Sequence, residues 1–125
     1  PAFESACLEL TLEVNGKEVE PLAAAISAHG SIEERIYKAL VTGVRDYVEK
    51  NGFKGVVLGL SGGIDSALTL AIAVDALGKK RVEAVMMPYH YTSDMSVADA
   101  GEQAHKMGVG YEMVPIAPMV ESTLQ

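Results

Sequence analysis

Ser61, Gly62, Gly63, Asp65 and Ser66 fall within six consecutive residues, and their types together suit the binding of a polyphosphate. Adjacent glycines lack the Cβ atoms that keep a ligand from the main chain, so the amides of Gly62, Gly63 and their neighbours can point into one concavity. Ser61 and Ser66 add hydroxyl donors. Asp65 does not suit a bare anion, because a carboxylate facing phosphate is repulsive unless a divalent cation bridges them. Mg²⁺ binds in that way, through one or two carboxylates plus substrate phosphates. Two standard phosphate motifs fail: no Gly-Lys-Ser/Thr closes a Walker loop, and the glycine spacing is not that of a dinucleotide turn. A third pattern fits, because Gly59-Leu60-Ser61-Gly62-Gly63 has the G-x-S-x-G form of a hydrolase nucleophile elbow. On that alternative Ser61 is a nucleophile served by Asp94 or Asp99 and by His105, in that chain order.

Either chemistry needs a strand to enter the turn and a helix to leave it. Residues 56–60 are an apolar, β-branched run that reads as a buried strand of a parallel sheet, and the apolar pattern of residues 67–77 reads as a helix closed by Gly78. That helix starts near Asp65 or Ser66 and adds its unpaired N–H groups and the positive end of its dipole to the turn. A second strand over 82–87 leads to the polar and aromatic loop 86–96, at the ligand end of a parallel sheet and next to the glycine turn if the two strands are neighbours. A third helix opens on the capping-type run Ser96-Val97-Ala98-Asp99, ends at Met107 and stops at Gly108. A third strand spans 109–114, and residues 116–125 begin another loop and helix. The order βαβαβ gives a parallel sheet with right-handed crossovers.

Lys79-Lys80-Arg81 tempts a phosphate-binding reading, but it sits at the start of a strand, about 20 Å from the ligand end at roughly 3.3 Å per residue. Its expected role is to face the helix C-terminus and solvent. His29, His90 and His105 read as bland surface or loosely packed side chains. Upstream, Ser31-Ile32-Glu33-Glu34 is a capping box, and Ile32, Ile36, Leu40, Val44, Tyr47 and Val48 follow at helical spacing until Asn51-Gly52. Glu33, Arg35, Lys38, Arg45 and Glu49 of this helix read as a solvated face.

The 125 residues make one domain at most, and 49% apolar with 22% charged residues is ordinary for a globular core. A formal net charge of −7 leaves no basic face for nucleic acid or an anionic membrane, so neither is expected as a partner. Cys7 excludes an internal disulfide, fits a reducing compartment, and reads as a buried or half-buried small apolar residue. No run is apolar and long enough to span a bilayer, and Pro1-Ala2-Phe3-Glu4 is no signal peptide; Pro1 suggests a fragment or a processed chain. Leu8, Leu10, Leu12 and Val14 alternate with polar residues as in a half-buried strand, and Asn15-Gly16 turns it into a hairpin before Lys17. Residues 22–30 read as a linker or a short helical turn. Such a hairpin is marginal alone and is expected to pack on something.

Ser61-Gly62-Gly63-Ile64-Asp65-Ser66 resembles the S-G-G-x-D-S pyrophosphate loop of the N-type ATP pyrophosphatases, which adenylate a carboxyl or carbonyl oxygen and then displace AMP. A second block sharpens the likeness: Met86-Met87-Pro88, Tyr91-Thr92-Ser93, Ser96 and Asp99-Ala100 are similar to the pattern that follows the first crossover in NAD synthetases, above all the glutamine-dependent type. The lead-in helix, with Ile36-Tyr37-Lys38-Ala39-Leu40, is similar too. The resemblance covers roughly residues 31–120. It implies a three-layer α/β/α fold with a parallel sheet, Rossmann-like and of the adenine nucleotide alpha hydrolase type, here incomplete. Residues 1–30 would be a hairpin and linker at the end of an upstream glutaminase domain, and residues 31–125 the N-terminal half of the synthetase domain.

By the same resemblance ATP and Mg²⁺ are the cofactors. Ser61, Gly62, Gly63, Ile64 and Ser66 would hold phosphates, and Asp65 would carry the metal. Ser61 and Asp65 would be the catalytic residues. Gly59, Leu60 and Met87 would line the adenine. The implied reaction is amidation of deamido-NAD to NAD through an adenylate, with nitrogen from glutamine or ammonia, in a cytoplasmic homo-oligomer. The family's synthetase domain is about twice as long and draws further substrate, metal and phosphate contacts from later strands, so this polypeptide alone is not expected to make NAD. A GMP synthetase-like ligase, a noncatalytic nucleotide-binding fragment and the Ser61 hydrolase stand as alternatives.

Overall fold

The computed structural model describes residues 3–22 and 30–124, which divide into two compact units, residues 1–39 and 40–125, with the division inside the first helix. In the first unit β1 (Leu12–Asn15) and β2 (Glu18–Pro21) form an antiparallel hairpin. The two-residue connection is Gly16-Lys17, with Gly16 at φ +68°, a left-handed turn that glycine adopts without strain. The strand is shorter than the alternation over residues 8–14 suggests. Pro21 pairs with Leu12, the Leu22 amide then donates to the Thr11 carbonyl at 3.0 Å, and Leu8 and Leu10 lie outside the sheet and are exposed. Cys7, expected inside, is also exposed. Residues 23–29, including His29 and most of the expected linker, lie outside the described residues.

Helix α1 (Ile32–Lys50) begins as the capping box requires, with the Glu34 amide donating to Ser31 Oγ at 3.1 Å. It ends before Gly52, which takes φ +70°. Arg45 departs from the expected solvated face. Its guanidinium donates to the carbonyls of Ala76 and Asp75 at 3.0 and 3.2 Å and so caps the helix that follows the glycine turn.

In the second unit β3 (Val56–Gly59), β4 (Val82–Met86) and β5 (Gly110–Met113) form a parallel sheet in the order β3-β4-β5. The crossovers are α2 (Ile64–Leu77) and α3 (Asp94–Met107), which pack on each other and on the sheet. A short helix, α4 (Ala117–Thr123), follows. This is the expected α/β class, a parallel sheet with flanking helices.

The core lies between the sheet and α2 and α3. Leu60 and Leu70 are fully buried, with Val82, Ala84 and Met86 of β4 and Ala73, Ala100 and Ala104 of the helices. Alanines along both helices let them approach the sheet closely. Burying a leucine contributes about 1.5–3 kcal/mol. The strands are not buried on both faces. Val57 and its register partner Glu83 point to the opposite face and are exposed, because the side-chain period of two sends alternate residues away from α2 and α3.

Candidate functional site

The glycine turn is built by three elements. Strand β3 delivers the chain to Gly59, and the Leu60 amide extends the pairing to the Val85 carbonyl at 2.9 Å. Gly62 then takes φ +80°, and Gly63, at φ −90° and ψ 160°, is the N-cap of α2 with no side-chain cap of its own. The first bond of α2 is Ala67 N–H to Gly63 O at 3.1 Å, so the amides of Ile64, Asp65 and Ser66 precede the helical ladder as a helix start requires. A Cβ on Gly62 would lie 2.3 Å from the Ser96 carbonyl oxygen. The turn is therefore seated on the first turn of α3.

The hydroxyl protons of this turn can be assigned from its hydrogen bonds. Ser66 Oγ donates to Gly63 O at 2.9 Å and accepts from the Ser61 amide at 3.2 Å. Its one proton is thus committed, and Ser61 Oγ, 3.0 Å away, donates to Ser66 Oγ while accepting from the Gly63 amide at 3.2 Å. Two serine oxygens occupy the amides of residues 61 and 63, as an anion's oxygens would. Asp65 and Ile64 are exposed on the first turn of α2, and Thr69 Oγ1 donates to the Asp65 carbonyl at 2.8 Å.

Beside the turn lies a cleft of about 330 Å³ lined by Gly59, Leu60, Ser61 and Met87, with Val85, Met86 and Thr92. A Cβ on Gly59 would meet Met87 Cε at 3.3 Å, so the Met87 side chain lies against Gly59 along the apolar wall of the cleft. Leu60 lines the cleft through its main chain. Its side chain is 1% exposed and belongs to the core. Thr92 fixes the rim, donating its amide to Tyr89 O at 2.8 Å and accepting the Tyr89 amide at 2.9 Å.

A larger hollow of about 540 Å³ lies at the other end of the sheet, lined by Lys54, Lys79, Lys80 and Arg81 among others. It lies off the site just described, because β4 separates the two ends by its five residues, about 16 Å. Arg81 donates to the carbonyls of Phe53 and Lys54, both at 2.9 Å. The triplet forms a single 3-10 turn after α2, where its charges offset the negative end of that helix.

A family description of NAD synthase matches residues 36–125. The chain belongs to the NAD synthase family. It is 50% identical over 125 residues to the glutamine-dependent NAD(+) synthetase of Acinetobacter baylyi, covering 100% of this chain and 23% of that protein. The glutamine-dependent NAD+ synthetase from Acinetobacter baumannii, solved in complex with ADP, superposes with a TM-score of 0.77 at 55% identity, over 86% of this chain and 20% of that one. The NH3-dependent NAD synthetase from Campylobacter jejuni, solved with a nitrate ion, gives a TM-score of 0.68 at 30% identity, over 73% and 39%. The chain thus spans less than a quarter of the length of the glutamine-dependent relatives it matches.

Within this NAD synthase fold the residues of the hydrolase pattern do not meet. His105 lies in the last turn of α3 and is exposed, 11 residues beyond Asp94 and so about 16 Å along the helix from the end that adjoins the turn. Ser61 Oγ is hydrogen-bonded to Ser66 and Gly63, with no base on it. His90 is exposed as expected, but it is partnered, 3.0 Å from Glu121 and in a tilted ring contact with Tyr89, centroids 4.8 Å apart. The start of α3 also differs. Its N-cap is Ser93, whose Oγ accepts the Ser96 amide at 3.1 Å, three residues ahead of the expected cap. Gln103, not singled out in the sequence, donates Nε2 to the Ala67 carbonyl at 2.9 Å. The signal was present: a polar residue three after Ala100, on the helix face that Ala100 and Ala104 bury.

Proposed function

We propose that this chain is the nucleotide-activating part of a glutamine-dependent NAD synthetase. The observation that carries the proposal is the seating of the Ser61–Ser66 turn, with its amides and hydroxyls converging at the N-terminus of α2 beside an apolar cleft. ATP would lay its adenine in the cleft lined by Gly59 and Met87 and its β and γ phosphates on Ser61, Gly62, Gly63, Ile64 and Ser66. The two serine hydroxyls would turn from each other to the incoming oxygens. The carboxylate of deamido-NAD would attack the α-phosphorus to give an adenylate and pyrophosphate, and ammonia would then displace AMP to form the amide. Catalysis in such a site is positioning and charge stabilisation, with no protein nucleophile.

The donor set suits Mg²⁺ in one mode. Among the described residues no three His, Cys, Asp or Glu side chains gather as a metal cage, so Asp65 would hold the ion together with phosphate oxygens. There it would neutralise charge on the pyrophosphate. The nitrogen source is argued from residues 1–35. They lie outside the family description yet align with the A. baylyi protein, named as glutamine-dependent. In this reading residues 1–30 close an upstream glutaminase domain, and residues 31–125 open the synthetase domain. The whole protein, rather than this segment, turns over deamido-NAD, as a cytoplasmic homo-oligomer.

The test is calorimetric titration of ATP into the chain, with and without Mg²⁺, beside Asp65→Ala. Magnesium-dependent binding that weakens in the variant is expected. Binding indifferent to both the metal and the substitution would remove Asp65 from the site.

A further inference from the structure

We infer that the lead-in to α3 and its first three turns, residues 91–103, form a brace that sets the geometry of the glycine turn, with Gln103 as a positioning residue; the inference rests on the ATP-binding reading of that turn. Three observations carry it. Gly62 packs without a side chain onto the main chain of Ser96, where a Cβ would lie 2.8 Å from both the carbonyl carbon and Cα. The Ser96 main chain is itself fixed, since its amide donates to Ser93 Oγ at 3.1 Å and the two hydroxyls are 2.9 Å apart. Two turns further along α3, the Gln103 amide donates to the Ala67 carbonyl at 2.9 Å in a part-buried position.

Ala67 is the residue whose amide closes the first bond of α2 on Gly63. Its carbonyl can accept a second donor beside any helical one, because a carbonyl oxygen has two lone pairs. The side-chain orientation of Gln103 is fixed by chemistry, since only its NH2 end can meet a carbonyl. The loop is therefore gripped at Gly62 and at Ala67 by one helix. The residues between these points, 63–66, are those that would face phosphate. Thr92 and Ser93 serve the same end by fixing the entry into α3.

The role of Gln103 follows from population arithmetic. Without the clamp the free chain spends part of its time with the first turn of α2 displaced, and apparent affinity falls by the competent fraction. Losing a hydrogen bond of this kind corresponds to about fivefold weaker binding. The decisive variant is Gln103→Glu. Above its pKa the carboxylate faces the Ala67 carbonyl with no proton to donate; below it, the protonated acid donates O–H to the same oxygen.

Dissociation constants for MgATP are measured by calorimetry at about pH 5 and pH 8 for wild type, Gln103→Leu and Gln103→Glu, with melting temperatures alongside. Comparison with wild type at each pH cancels titration of the nucleotide and of every other group. Gln103→Leu should bind about fivefold more weakly at both pH values, and Gln103→Glu should be weak at pH 8 and recover only in part at pH 5, where a glutamate of ordinary pKa, about 4.3, is about one-sixth protonated. A residue with only a structural role would lower the melting temperature and leave the affinity of the folded chain unchanged. Wild-type affinity in Gln103→Glu at pH 8 would overturn the inference and leave the ATP reading standing. No MgATP binding by folded wild type would overturn both. If Gln103→Leu does not fold, the affinity of Gln103→Glu at pH 8 decides alone.

Discussion

Replacing one of two adjacent glycines should unfold the site, and replacing the other should only block it. Gly62 sits at φ +80°, where an L side chain costs roughly 1–2 kcal/mol. Its added Cβ would also stand 2.3 Å from the Ser96 carbonyl oxygen. That neighbour is backbone in the first turn of a helix, so relief requires α3 or the turn to move, at a cost of about 1–3 kcal/mol typical of overpacking. Gly62→Ala should thus lose about 2–5 kcal/mol, against a total of 5–15 kcal/mol for an ordinary domain. At 3 kcal/mol and roughly 3–5 °C per kcal/mol for a chain of this size, the melting temperature should fall by about 10–15 °C.

Gly63 is the control. Its φ of −90° suits any residue, and the nearest atom to an added Cβ is Ser61 Oγ at 3.4 Å, an ordinary contact. Gly63→Ala should melt within about 2 °C of wild type. Its methyl would nevertheless stand beside a hydroxyl proposed to hold phosphate and take space from the ligand, so MgATP binding should fall by about tenfold, the mark of a lost charge-assisted contact. The assays are thermal unfolding by circular dichroism and calorimetric titration. A Gly62→Ala protein melting within about 2 °C of wild type would refute the seating of the turn on α3.

Other substitutions probe the frame and the chemistry separately. Arg45→Met removes two hydrogen bonds from the C-terminal carbonyls of α2; it should cost about 1–2 kcal/mol in chemical denaturation and leave MgATP affinity unchanged. A fluorophosphonate probe should leave Ser61 unlabelled, which mass spectrometry of the digested chain would check. Lys106 beside Glu102 and Lys38 beside Glu34 hold those carboxyls below the usual range, first by hydrogen bond and then by charge. Such lowered carboxyls favour folding above their unfolded pKa, and the gain is lost as pH falls through the folded pKa. Both pairs are on the surface, so Glu102→Gln should shift the neutral-pH melting temperature by no more than about 1 °C, with the difference vanishing in acid.

What could be read from the sequence was local. Ser31 with Glu34, Gly52, Gly78 and Gly108 mark helix ends through bonds and φ values within a few residues, and the structure has each helix end there. The glycine turn was legible for the same reason: strand, turn and helix start are contiguous. The differences arise where a second element decides. Arg45 looks like any exposed helix cation until α2 places two free carbonyls beside it. Val57 reads as core until the sheet shows which face α2 and α3 cover. Both Ser93 and Ser96 have the chemistry of a cap, and only the path of the chain out of the Tyr89–Thr92 turn selects Ser93. The sequence does not show that the Leu60 side chain turns into the core while its main chain borders the cleft.

The charge pattern constrains how this site could hold a nucleotide. All 10 Lys and Arg residues lie outside segments 55–78 and 82–105, which contain the turn, the cleft and the start of α3. Within these segments the positive field at the turn comes from backbone. Helices α2 and α3 run in the same direction from the ends of parallel strands, and each helix start carries roughly half a positive charge. Together they offer about one charge against the four of free ATP, on a chain of net charge −7. ATP without Mg²⁺ should thus bind poorly, whereas the magnesium complex leaves about two charges for the amides to meet. Fixed dipoles close to the ligand are screened less than exposed lysines. Raising KCl from about 0.05 to 0.5 M at constant free Mg²⁺ should therefore weaken MgATP binding by less than about threefold. A steep loss with salt would mean that side-chain cations, such as those gathered at the opposite end of the sheet, hold the phosphates instead.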